Sequence, residues 1–301
     1  MAWRVISAVT ENSVDHNIKK KFVTPALERK MLDINNRTVV ITGGATGIGL
    51  GLAKACGALG ARIVIGEPRR ARLDEAAATL TEAGITASTF PLDVTDPMQL
   101  EAFVQHAFDA FGEVALVVNN AGIGQPLGSV IDTPVEAMQT VMAVNFEAVW
   151  RGCQLFGRRL IEQGIPAAIY NTGSENSFFV AVSRSAAYVA SKHAVLGLTD
   201  ALREEMPDDV SVGMIAPGFV SSELIPEPMR SMGMPVDEFA GIVLPQILAG
   251  EPYVVSHGYN QVRINERQQQ VASAYSRAAP RQKGDDRYDV RTLLASLRAK
   301  S

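Results

Sequence analysis

The 301-residue sequence predicts an α/β fold built on a doubly wound parallel sheet, in one domain with appendages at both ends. Three observations predict it: apolar strands alternate with helix-length segments along most of the chain, the strands are continuously apolar, and a glycine-rich turn joins the first strand to the first helix. Right-handed crossovers place helices on both faces of such a sheet, so its strands are buried from both sides and do not alternate. A chain of this length can bury one generous core before it splits into domains.

Residues 1–30 are polar, basic at Lys19, Lys20 and Lys21, and show no sustained period. They read as a loose arm or as a segment that wraps a neighbouring subunit, and a more natural start lies at Met31. Strands are expected at 38–41, 62–65, 87–92, 115–119, 168–171, 211–215 and 253–255, with a helix at 48–59 after the first. Residues 223–250 hold Pro226, Pro228, Met229, Met232, Met234 and Pro235, and read as a mobile lid with adaptable apolar side chains. The last stretch reads as a helix to about Arg277, a polar break at 280–286 and a short terminal helix. The resulting division is an N-terminal extension (1–33), a central domain (34–258) and a C-terminal helical extension (259–301).

Composition excludes several functions. Lys and Arg total 28 against 32 Asp and Glu, a net charge of -4, so no overall field favours nucleic acid or anionic lipid. No apolar run is long enough to span a bilayer and no leader pattern opens the chain, which makes the cytoplasm the expected compartment. Cys56 and Cys153 read as reduced core thiols, and the four histidines make no metal-binding spacing, so no metal is expected.

The turn after the first strand reads Thr42-Gly43-Gly44-Ala45-Thr46-Gly47-Ile48-Gly49. Gly43, Gly47 and Gly49 permit close backbone approach, and the free N–H groups of the helix start favour a pyrophosphate. The GxxxGxG spacing departs from GxGxxG and is weak by itself. Glu67 lies 18 residues beyond Gly49 at the end of the second strand, near the offset of the acid that accepts the adenosine ribose hydroxyls. A carboxylate there favours NAD over NADP, although Arg69 and Arg70 follow closely and leave NADP open.

Further along come Asp93-Val94, Asn119-Asn120-Ala121-Gly122, Asn145, Tyr188-x-x-x-Lys192, and Pro217-Gly218-Phe219-Val220 with Ser222. In this order, over about 38–222, the set resembles the short-chain dehydrogenase/reductase (SDR) family, whose fold is of the Rossmann type. The resemblance implies cofactor contacts from the turn residues including Thr46 and Ile48, from Asp93 and Val94 to the adenine, and from Asn120, Ala121 and Gly122 on the adenosine ribose side. It also implies cofactor contacts from Pro217 and Gly218, and that Val220 with Ser222 holds the nicotinamide carboxamide, with Ser222 where relatives often have Thr. Asn145 is implied to order, through its backbone carbonyl, a water beside the lysine. A homo-oligomer, dimer or tetramer, is expected on the same ground.

Tyr188 and Lys192 share one helix face. A free phenol has a pKa of about 10, and an adjacent ammonium lowers it toward the range of a general base. The resemblance adds a serine 13 residues before the tyrosine, an offset that falls on Glu175. Ser174 is chosen for directly following the strand end, Ser177 is the alternative, and Glu175 is read as facing solvent. The expected reaction interconverts a secondary alcohol and a ketone on a medium-sized apolar substrate. Two competing readings are an NADPH-dependent 3-oxoacyl thioester reductase and a non-catalytic dinucleotide-binding protein. An epimerase reading fails because the first turn lacks GxxGxxG.

Overall fold

The computed structural model of the chain describes residues 31–125 and 127–298; the arm read at 1–30 lies outside them. Among the described residues seven strands form one sheet: β1 (Thr38–Thr42), β2 (Arg62–Glu67), β3 (Ala87–Pro91), β4 (Val114–Asn119), β5 (Ala167–Thr172), β6 (Val210–Ala216) and β7 (Tyr253–Val255). Their order is β3-β2-β1-β4-β5-β6-β7, every pairing parallel. All residues of β1, β4 and β5 are buried, as continuous apolar strands between two helical layers require.

Helices α1 (Gly47–Ala58) and α2 (Arg70–Glu82) cover one face, and α3 (Pro97–Phe111) covers the other; α4 (Val135–Met142) leads, through a π turn at Ala143–Glu147, into α5 (Ala148–Gln163). Next come α6 (Ala186–Glu205), the single turn α7 (Glu227–Arg230), α8 (Val236–Leu248), α9 (Asn260–Ala278) and α10 (Val290–Arg298). One core joins Ile41, Leu52, Ile65, Leu73 and Phe239; the opposite core joins Val40, Phe103, Val117, Phe156 and Val195. Burying each such side chain contributes about 1.5–3 kcal/mol, which is why α1, α8, α3, α5 and α6 are held against the sheet.

The lid expected over 223–250 is corrected. Phe239, Ala240, Val243, Leu244 and Ile247 recur at helical spacing and are buried in α8, so this half is core. In 223–235, before this helix, Met229 and Met232 are exposed. The C-terminal extension is helical, as read. None of the residues of α9 is buried, and it is tied to the domain by Arg267, whose Nη1 donates to the Phe178 carbonyl (2.5 Å) and meets His193 Nε2 (2.6 Å). Cys56 and Cys153 are free and buried, which pushes both thiols up to about 12. No described helix is long and apolar enough to cross a membrane, and the described residues hold no metal-binding cluster.

Candidate active site

The strand order reverses between β1 and β4, and predicted residues lie at the carboxyl ends of the strands around that point, where doubly wound sheets bind ligands. Thr42 ends β1, Glu67 ends β2, Asn119 ends β4, Thr172 ends β5 and Ala216 ends β6.

The glycine turn is built for a close neighbour. Gly47 has φ +49, and a Cβ on it would sit 3.1 Å from the Cβ of Ser222; one on Gly49 would lie 2.2 Å from the Gly43 carbonyl oxygen. Thr46 is the N-cap of α1, makes no side-chain cap, and no acidic residue occupies the first turn. The backbone N–H groups at Gly47, Ile48 and Gly49 therefore open a helix whose positive end is not neutralised, a fit for a pyrophosphate. Gly47 and Ser222 therefore approach each other closely, which brings the turn and the 217–222 segment together. Val220 is buried and bridges to Met234, while Pro217 receives the Glu175 N–H on its carbonyl (2.8 Å) and Gly218 packs beneath His257.

At the far end Glu67 is buried, and its Oε1 accepts from Arg69 Nε (2.5 Å) and from the Arg69 N–H (3.3 Å). Arg69 also donates to Glu223 (2.9 Å), which pairs with Arg72 (2.7 Å). Arg72 also pairs with Glu75 (2.7 Å), so the two arginines meet three carboxylates and neither presents an uncompensated charge; Arg70 pairs with Asp74 (3.3 Å). Those bonds and charges hold the Glu223 carboxyl below its usual range. Asp93, exposed, accepts from the N–H (2.9 Å) and hydroxyl (2.7 Å) of Thr95, and Val94 beside it is buried.

Asn120 and Ala121 tie the cleft together. Thr42 Oγ1 accepts the N–H groups of Asn120 (2.9 Å) and Ala121 (3.0 Å), and Asn120 Nδ2 donates to the carbonyls of Thr42 (3.0 Å) and Gly43 (3.1 Å). Asn120 is thereby turned toward the glycine loop. A Cβ on Gly122 would approach Asn145 Oδ1 (3.3 Å) and Lys192 Nζ (3.6 Å), so this glycine leaves room beside the two side chains.

Tyr188 and Lys192 stand one turn apart on α6, with Nζ 5.7 Å from the phenol ring centroid. Nζ is buried and donates to the Thr172 carbonyl (2.8 Å), and burial lowers this lysine to about 8. Tyr188 is half-buried, its phenol closely surrounded by protein. That burial pushes the phenol above its usual range, a hydrogen bond with Ser174 opposes the shift, and the Glu175 carboxylate adds to it. The lowering expected from Lys192 does not appear; removal from water dominates, and only the Ser174 hydrogen bond opposes it.

Ser174 caps the short turn Glu175–Ser177. Its Oγ accepts from the Asn176 N–H (3.1 Å) and Nδ2 (3.4 Å), which occupies its lone pairs and leaves its proton for the phenol or a substrate oxygen. Ser177 faces away, donating to the Lys192 carbonyl (2.7 Å) and accepting from the Ser174 N–H (3.2 Å). Asn145 lies fully buried in the π turn, an irregularity common at functional sites. Its Oδ1 accepts the Ile123 N–H (2.8 Å), and its Nδ2 donates to the Ile123 carbonyl (3.0 Å) and to Ser191 (3.2 Å).

Two residues escaped the sequence reading. Gln125 Oε1 accepts the Tyr188 N–H (3.2 Å), capping the first turn of α6; only its place after the Asn-Ala-Gly run hinted at this. Glu175 does not simply face solvent: it is half-buried, hydrogen-bonded to the Asn260 side chain, and lines a cavity of about 1660 Å³. That cavity is lined by Ala186, Val189 and His193 of α6, by Phe179, Val180 and Val182, and by Arg263, Glu266 and Arg267 of α9; Tyr188 is not among its lining residues.

Comparisons with known proteins place the chain in a family and a fold. A family profile described as short chain dehydrogenase matches residues 37–230. The 1-deoxy-11-beta-hydroxypentalenate dehydrogenase of Streptomyces arenae is 32% identical over 242 residues, which cover 76% of this chain and 86% of that protein. Among solved structures, the apo form of LigO from Sphingobium sp. strain SYK-6 has a TM-score of 0.77 at 27% identity, covering 88% of this chain and 98% of that one. A short chain dehydrogenase/reductase from Burkholderia phymatum, solved in complex with NAD, has a TM-score of 0.76 at 23% identity, covering 84% of this chain and 100% of that one. With most of its domain matched by the family profile and by a full-length relative, the chain belongs to the short-chain dehydrogenase/reductase family, enzymes that act on hydroxyl groups.

Proposed function

We propose that the protein interconverts a secondary alcohol and a ketone with NAD, Tyr188 serving as general acid/base. The observation that carries this reading is the Lys192 ammonium 5.7 Å from the centre of the Tyr188 ring, one helical turn away, with Ser174 near the phenol. In the oxidative direction the phenolate of Tyr188 takes the carbinol proton, and the Ser174 hydroxyl holds the substrate oxygen in place. Lys192 favours the phenolate electrostatically, and its low value lets it pass a proton onward near neutrality. Asn145, through its disturbed helical turn, frames this side of the cleft. A bound nicotinamide supplies the hydride acceptor or donor. Gly43, Thr46, Gly47, Ile48 and Gly49 would hold its pyrophosphate, Glu67 the adenosine ribose, Asp93 and Val94 the adenine, and Val220 and Ser222 the carboxamide. The preference for NAD rests on Glu67 and on arginines already shared between carboxylates.

The substrate has an apolar body, for which Val130, Phe179, Val180 and Val182 offer a wall. Exposed Trp150 and Ile161 on α5 support a homo-oligomer. The test is formation of NADH, followed by absorbance, over a panel of secondary alcohols. Tyr188→Phe is expected to lower turnover by about 10²–10⁴-fold while NADH still binds. Unchanged turnover in that variant removes the proposed chemistry.

A further inference from the structure

We propose that Glu223 is a cofactor-specificity residue of this chain: from the segment after β6 its carboxylate fills the fork between Arg69 and Arg72 that would otherwise take the 2′-phosphate of NADP. The inference rests on the reading above, in which Glu67 meets the adenosine ribose of a bound NAD.

The side chains concerned come from three parts of the fold. The Gly66 carbonyl accepts the N–H groups of Gly43 (2.8 Å) and Gly44 (3.3 Å), which sets Glu67, the last residue of β2, beside the glycine turn. Arg69 is the N-cap of α2, and Arg72 lies in its first turn. Glu223 follows Ser222, which closes against Gly47 of the glycine turn. The backbone around it is hydrogen-bonded on both sides. The Ser221 N–H donates to the Met234 carbonyl (2.9 Å), the Met234 N–H to the Phe219 carbonyl (2.8 Å), and the Ile225 N–H to the Ser222 carbonyl (3.0 Å).

The two carboxylate oxygens divide between the arginines. Oε2 accepts from Arg69 Nη1 (2.9 Å), and Oε1 pairs with Arg72 Nη2 (2.7 Å). Two guanidinium groups converging on one anion are the arrangement that recognises a phosphate, and here the chain supplies the anion itself. The other contacts of these arginines, Arg69 Nε with Glu67 (2.5 Å) and Arg72 Nη1 with Glu75 (2.7 Å), do not involve the 221–225 turn. Taking Glu223 away therefore frees Arg69 Nη1 and Arg72 Nη2 together while each arginine keeps one partner.

Charge works in the same direction. Two guanidiniums meet three carboxylates in this cluster. A phosphate monoester carrying about −1.5 to −2 enters an excess of negative charge and has to displace a carboxylate already bonded. Arg70 is paired with Asp74 (3.3 Å), and Arg230, a further cation near Glu223, bonds Glu227 and the Ile225 carbonyl (3.2 Å). Arg69, Arg72 and Glu223 are all partly exposed. Ion pairs of that kind add little to stability, so removing Glu223 alters the field at the site far more than the fold.

The experiment measures NADH and NADPH affinity by fluorescence titration, and ADP and adenosine 2′,5′-bisphosphate affinity by calorimetry. Wild type, Glu223→Gln, Glu223→Ala and Glu223→Ala combined with Arg69→Ala and Arg72→Ala are compared, with the thermal midpoint as the check on folding. Wild type is expected to prefer NADH. Both Glu223 variants should bind NADPH and the bisphosphate about five- to twentyfold more tightly and NADH within about threefold of wild type. The gain should grow at low salt and vanish in the variant lacking both arginines. A wild-type preference for NADPH, unchanged or weaker NADPH binding in both Glu223 variants, a ratio shifted only by loss of NADH, or a gain that survives without the arginines overturns the inference. Wild type that binds neither dinucleotide overturns it together with the reading beneath it. The expected gain in NADPH affinity, in a protein that oxidises no alcohol, supports the role of Glu223 and sinks the dehydrogenase reading alone.

Discussion

Replacing Lys192 by Met is expected to leave the protein as stable as wild type, or more so, at pH 7, while nearly all turnover is lost. The ammonium is buried, and burial brings it from 10.5 to about 8. At about 1.36 kcal/mol per unit, holding the charged form inside the fold costs about 3 kcal/mol at pH 7. Methionine removes that cost and keeps an apolar stem, but it deprives the Thr172 carbonyl of its donor, which costs about 1–3 kcal/mol. The difference leaves the variant about 0–2 kcal/mol more stable. The pH dependence gives a second handle. A lysine lowered in the fold binds fewer protons there than in the unfolded chain, so wild-type stability rises with pH between about 8 and 10.5. Any advantage of the variant therefore shrinks across that window and is absent above it. Guanidinium unfolding at pH 7 and at pH 10.5, read as midpoint and slope, measures both quantities. A loss of 3 kcal/mol or more at pH 7, to within about 10–15% of extrapolation error, would mean that the site stabilises the ammonium and would refute the reasoning.

Three further outcomes follow from the same geometry. Glu67→Ala is expected to weaken NADH binding by about 10- to 100-fold and to narrow the gap to NADPH, measured by fluorescence titration; an unchanged ratio of the two affinities would contradict the role given to Glu67. Gly49→Ala places a Cβ 2.2 Å from the Gly43 carbonyl, so a loss of about 1–3 kcal/mol in unfolding free energy together with weakened cofactor binding is expected. Ser174→Ala should lower kcat by about 10²-fold or more with little change in thermal midpoint, whereas Ser177→Ala should cost about 1 kcal/mol of stability and leave KM near wild type; the reverse pattern would exchange the two serines.

What the sequence determined by itself is local or periodic. Seven runs become the seven strands within a residue or two at each end; the central β1, β4 and β5 are buried and almost continuously apolar, whereas the edge strands β3 and β7 are only partly buried. The glycine turn and the pairing of Tyr188 with Lys192 were legible for the same kind of reason: a few contiguous residues dictate a turn or a helix face. Tertiary packing decided the rest. The serine beside the phenol could not be selected from an offset, since Ser174 and Ser177 differ only in what Asn176, Lys192 and Tyr188 bring to them in space. The methionine- and proline-rich run predicted a lid through residue 250, yet α8 sits in the core because its apolar stripe meets α1 and the sheet. The direction of the Tyr188 shift, the nearness of Gly122 to Lys192 and the setting of Glu175 each depend on burial and on partners far away in the chain. Water exclusion and long-range hydrogen bonds set ionisation and specificity, and neither is written in a contiguous window of residues.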